Sequence, residues 1–72
     1  MPYAVWVRTD YPDEWLDISK AFRLWLEPVE VSENNTIWHI QAQFIFEGVR
    51  TVRSFDNQEE AQELLKTLIG GE

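Results

Sequence analysis

Thr36-Ile37-Trp38-His39-Ile40-Gln41-Ala42-Gln43-Phe44-Ile45-Phe46 runs through Glu47-Gly48 into Val49-Arg50-Thr51-Val52-Arg53-Ser54-Phe55, and the fold turns on this stretch. Its side chains alternate. Trp38, Ile40, Ala42, Phe44 and Phe46 form an apolar set; Ile37, His39, Gln41, Gln43 and Ile45 form a mixed one. A period of two belongs to a strand, whose successive side chains leave opposite faces. The pattern predicts a strand over residues 36–46, a tight turn at Glu47-Gly48 and a return strand over residues 49–55. A two-residue loop opposes Phe44 to Thr51, and a three-residue loop with a bulge opposes it to Val52. Both registers stay open.

Downstream, Asp56 is placed to cap a helix and Glu59 to complete a capping box. Ala61, Leu64, Leu65, Leu68 and Ile69 then recur at the spacing of one buried helical stripe. A helix over residues 57–69 is expected, with Gly70 as its terminator. Upstream, Ser32-Glu33-Asn34-Asn35 reads as a turn after a short extended piece, Val29 to Val31. The segment from Pro12 to Glu27 carries Trp15, Ile18, Phe22 and Trp25 at helical spacing, with Asp13 and Glu14 near one end and Lys20 and Arg23 toward the other. A helix is expected there, although Phe22 to Leu26 also suits an extended strand. Tyr3 to Thr9 reads as a first strand that joins the same sheet, with Tyr3, Val5 and Val7 on one face and Ala4, Trp6 and Arg8 on the other.

The resulting class is α+β: a small antiparallel sheet of three or four strands, a C-terminal helix packed on one face, and a second helix after the first strand. Residues 1–72 suffice for a single domain. Such a chain buries only about 60–65% of its unfolded surface. With no cysteine it has no disulfide to staple it. Four Trp, four Phe and two Tyr offer dense packing instead.

Thirteen acidic residues against six basic ones leave a net charge of −7. That balance disfavours nucleic acid, whose binding rests on neutralised phosphates, and anionic membranes likewise. The single locally basic stretch is residues 47–55, where Arg50 and Arg53 outnumber Glu47. The start of the sequence lacks the basic and apolar pattern of a secretory leader, and no apolar run approaches a membrane span. A cytoplasmic protein is expected.

Little catalytic chemistry is legible. Ser19, Ser32 and Ser54 are the serines and His39 the single imidazole, with no local motif joining them. No spacing suits a metal, and Gly48 alone makes no phosphate cradle. No cofactor is expected. The acid pairs Asp13/Asp17 and Glu59/Glu63 read as solvated helix faces.

What stands out is the aromatic excess beside arginine, the residue types enriched at interface hot spots. If helices cover one sheet face only, the other exposes Trp6, Arg8, Ile37, His39, Gln41, Gln43, Ile45, Arg50 and Arg53. The favoured function is therefore a small acidic protein-binding module, non-enzymatic, a regulator or inhibitor. It docks on a protein partner or on a second copy of itself through that face or a free sheet edge. One alternative is an acidic decoy mimicking nucleic acid, with Asp13, Glu14 and Asp17 aligned with Glu59, Glu60 and Glu63. Another is a small-ligand binder or enzyme with a cleft near Trp15 and Trp25.

Overall fold

The computed structural model describes residues 6–70. The elements are β1 (Trp6–Arg8), β2 (Trp15–Asp17), a 3-10 turn (Ile18–Lys20), β3 (Ala21–Ser32), β4 (Asn35–Phe44), β5 (Gly48–Phe55) and α1 (Gln58–Gly70). The fold is α+β. β3, β4 and β5 form an antiparallel meander with β4 central, while β1 and β2 pair separately as a short ribbon. No helix among the described residues is long and apolar enough to cross a membrane.

The second helix is absent. The residues from Pro12 to Glu27 supply a turn, β2, the 3-10 turn and the first half of β3. The extended reading of Phe22 to Leu26 is the one the structure adopts, because pairing with β4 gives this segment a partner along its length. Leu24 faces Ala42, Trp25 faces Gln41 and Leu26 faces Ile40. A β-bulge between Ala21 and Arg23 shifts the register where the strand begins. Such pairing outweighs a helical stripe that an isolated segment would display. The ribbon also corrects the expectation that the first strand joins the main sheet: Val7 pairs with Leu16. Tyr3, Ala4 and Val5 lie outside the described residues.

The β4–β5 turn comes earlier than expected. Phe44 pairs with Gly48, so Ile45, Phe46 and Glu47 make the reversal, and neither Thr51 nor Val52 opposes Phe44. Gly48 has φ 77°, a left-handed value that glycine takes without a Cβ penalty. A second shift falls between Ile40 and Gln41, which pair with Arg53 and Thr51. Val52 is the extra residue of this bulge and is fully buried.

One sheet face carries the core. Ile40, Ala42, Phe44 and Val52 cluster with Val7, Leu16 and Ile18 from the ribbon side. Leu24, Leu26, Leu64, Leu65 and Leu68 pack around them. Helix and ribbon thus share the same face. The helix cap is Asn57 rather than Asp56: Asn57 Oδ1 accepts from the N–H groups of Glu59 (2.7 Å) and Glu60 (3.3 Å).

Candidate interaction surface

Residues directly opposite in an antiparallel pair share a face. The register therefore puts Arg23, Trp25, Glu27 and Val29 of β3 with Gln43, Gln41, His39 and Ile37 of β4 on the side away from the core. Val49, Thr51 and Ser54 of β5 extend that row. None of these residues is fully buried. Polar groups here are largely paired side to side. Thr51 Oγ1 donates to Gln41 Oε1 at 2.8 Å, and Trp25 Nε1 donates to Glu27 Oε1 at 3.2 Å. The guanidinium of Arg23 stands 4.6 Å from the centre of the Trp25 ring.

Ser54 Oγ and His39 Nδ1 lie 2.6 Å apart, a pairing across strands that no local motif announced. Glu27 sits opposite His39 on the next strand, so serine, imidazole and carboxylate fall in one row. The row has the types of a hydrolytic triad without its surroundings. Glu27 receives Trp25 Nε1. Acyl transfer needs donors aimed at a developing oxyanion, and backbone N–H groups in a strand ladder are already committed. Ser54 and His39 join β5 to β4 through this side-chain contact.

The two arginines of β5 do not belong to this face. Arg50 opposes Ala42 through the register that the turn sets, and Arg53 opposes Ile40 because the bulge at Val52 shifts the strand beyond it by one residue; both partners are buried core residues. There they hold the ribbon. Arg50 Nη2 donates to Glu14 Oε2 at 2.8 Å, and Arg53 Nη2 donates to the Arg8 carbonyl at 3.1 Å. Asp10 accepts the Ser54 N–H at 2.8 Å and ties the start of the loop to β5. Glu14 also accepts the hydroxyl of Thr9, a residue only 4% exposed.

The ribbon turns Val7 and Leu16 inward, which leaves Trp6, Arg8 and Trp15 outside. Trp6 is 59% exposed and Trp15 54%. A groove of about 310 Å³ runs from these indoles to Lys20, Phe44, Glu47 and Arg50. A neighbouring groove of about 350 Å³ shares Lys20, Phe44 and Glu47 and continues to Ile45 and Phe46. Phe46 is 97% exposed. These side chains form one apolar end of the molecule, rimmed by a lysine, an arginine, two glutamates and Asp17.

The nine residues expected to form one surface thus fall into three places. Ile37, His39, Gln41 and Gln43 are on the open face. Trp6 and Ile45 belong to the aromatic end, with Arg8 on the same side of the ribbon as Trp6. Arg50 and Arg53 clamp the ribbon, Arg50 also lining a groove wall. The sequence reading puts Trp15 on a helical stripe and beside a cleft with Trp25, and misses Phe46, which it assigns to the core face of a strand that ends at Phe44. The left-handed preference of Gly48 was the available hint that the reversal precedes it. Trp15 lines the groove of about 310 Å³, and Trp25 lies on the open face of the sheet. No family model, curated protein or solved structure matches the chain.

Proposed function

We propose that the chain is a small acidic protein-binding module, without enzymatic activity, that regulates or inhibits the protein it docks on. Its contact surface is the aromatic end, with Trp6, Trp15, Ile45 and Phe46 as anchors and Lys20 and Arg50 at the rim. The observation that carries this reading is Phe46, 97% exposed at the tip of a turn between strands, on a groove that shares Lys20, Phe44 and Glu47 with the groove of two half-exposed indoles. Turning such a side chain into water sacrifices its burial, and tryptophan, tyrosine and arginine dominate measured hot spots. Scattered apolar residues need no explanation; four gathered around two adjoining grooves do. Self-association is one form of the same function.

In the decoy reading one charge is offset within the fold and another is held by hydrogen bonds from neutral groups. Glu14 is engaged by Arg50 and Thr9, and Asp17 receives the N–H and hydroxyl of Ser19.

The test begins with cross-linking in cell extract, followed by titration of the purified partner. Phe46→Ala should leave the melting temperature unchanged and weaken the complex about tenfold or more, the cost of losing an aromatic anchor. Gln43→Ala, on the open face, should bind as the parent does. A partner that binds both variants equally removes the proposal.

A further inference from the structure

We propose that two copies of this chain form a two-fold symmetric dimer in which the free edges of their β3 strands pair antiparallel about Trp25, setting Arg23 of each copy against Glu27 of the other. The inference goes beyond the reading above, whose contact surface is the aromatic end: it uses none of Trp6, Trp15, Ile45 or Phe46.

The edge exists because the strand order leaves β3 without a neighbour on one side among the described residues. Which groups it offers follows from Pro28. Proline has no N–H, so its pair with Trp38 is of the non-hydrogen-bonded kind, and the missing donor points away from β4. By strand alternation Leu24 and Leu26 also turn their N–H and C=O groups outward. These are the unpaired main-chain groups that invite another strand.

The sequence is self-complementary about one point. Outward from Trp25 come Leu24 and Leu26, then Arg23 and Glu27, then Phe22 and Pro28. A two-fold axis at Trp25 therefore opposes Leu24 to Leu26 twice, and these are the residues with free main-chain groups, giving four new hydrogen bonds. It opposes Arg23 to Glu27 twice on the open face, with the two Trp25 rings between them in the closer, non-hydrogen-bonded pair.

Other registers do worse. An axis at Arg23 opposes arginine to arginine, and one at Glu27 opposes glutamate to glutamate. An axis at Leu24 or Leu26 sets a charge against Trp25 and breaks both ion pairs. An axis between residues faces outward groups with inward ones. The three side chains are already aligned in one copy, since Arg23 stacks on Trp25 and Trp25 donates to Glu27.

The same strand limits further growth. The β-bulge between Ala21 and Arg23 and the proline at 28 bound the regular ladder, devices that blunt an edge against open-ended pairing. A two-fold contact uses the edge once and closes. Beside the ladder a groove of about 330 Å³, lined by Ile18, Phe22, Leu24, Leu68 and Ile69 among others, lies next to the same edge. Phe22 is 60% exposed and Ile69 67%, apolar surface that an added strand covers.

Sedimentation equilibrium on the full chain tests the proposal, with thermal melts to verify folding of each variant. The parent should show a concentration-dependent species of twice the 8.6 kDa chain mass. Arg23→Glu alone and Glu27→Arg alone each place like charges opposite one another and should weaken the dimer about tenfold. Mixing these two variants should restore a heterodimer, because glutamates then face arginines throughout; the double variant R23E/E27R should dimerise as the parent does. Phe46→Ala should leave the dimer intact, which separates this edge from the aromatic end. A parent that stays monomeric up to millimolar concentration overturns the proposal. So does a dimer indifferent to both charge reversals, or one abolished by Phe46→Ala.

Discussion

Replacing Glu14 by alanine removes the hub that joins the ribbon to the sheet. Its two carboxylate oxygens serve different partners: Oε1 accepts from Thr9 Oγ1 at 2.7 Å, and Oε2 accepts from Arg50 Nη2 at 2.8 Å. The Arg50–Glu14 pair is about one-third exposed on each side, so solvent screening holds its contribution to at most about 1 kcal/mol. Thr9 is the larger matter. Its hydroxyl is buried, and without Glu14 its proton has no acceptor, at a cost of about 1–3 kcal/mol. Arg50 keeps Glu47 as a partner at 3.2 Å, so no charge is stranded. Together the loss for Glu14→Ala is about 2–3 kcal/mol, roughly 8–20 °C in melting temperature for a domain of this size.

Glu14→Gln separates the two contributions. The amide oxygen still accepts from Thr9 while the charge is gone, so its cost should stay below about 1 kcal/mol. Urea unfolding followed by far-ultraviolet circular dichroism measures both variants. At about 1 M salt the deficit of the glutamine variant should shrink, as ion pairing is screened, whereas the gap between alanine and glutamine should persist. If alanine and glutamine destabilise equally, the buried hydroxyl does not carry the effect and the account of the ribbon's anchorage is wrong.

Two further outcomes are expected. Asn57→Ala should cost about 1 kcal/mol and Asp56→Ala within about 0.5 kcal/mol, since the first caps the helix and the second does not; equal melting temperatures would return the cap to Asp56. Gly48→Ala should destabilise by roughly 1–2 kcal/mol through its left-handed backbone alone, because an added Cβ meets no atom within 4 Å; a neutral result in a thermal melt would mean the turn relaxes.

The fold and the candidate site were legible to different depths. Alternation identified the β4–β5 hairpin, since polar Gln41 and Gln43 interrupt an otherwise apolar run at every second position. It did not identify the register, because sliding one strand keeps most of that alternation, and the bulge at Val52 and the early turn at Ile45 are local exceptions to it. The stripe of Trp15, Ile18, Phe22 and Trp25 imitated a helix. In the fold these residues have separate tasks: Ile18 enters the core, Trp15 and Phe22 face solvent, and Trp25 joins the open face. The site suffered most, since membership of a surface is decided by side-chain direction. The early turn puts Arg50 on the ribbon side, and a single bulge is enough to bring Arg53 there from the open face.

Composition and short-range pattern by themselves determined that this chain is acidic, rich in aromatics, and built of a helix near residues 57–69 behind a hairpin. Those features depend on residues within a turn or a strand repeat of one another, so the information is local. Only the tertiary structure decided that Pro12 to Glu27 extends rather than coils, that β1 pairs with β2 instead of the main sheet, and that Phe46 stands in solvent. The first two depend on a partner outside the segment itself, β4 for β3 and Leu16 for Val7, whereas Phe46 stands in solvent because the turn closes at Gly48, two residues on. Pairing energy between distant segments outweighs local preference, and no window of sequence contains both sides of it.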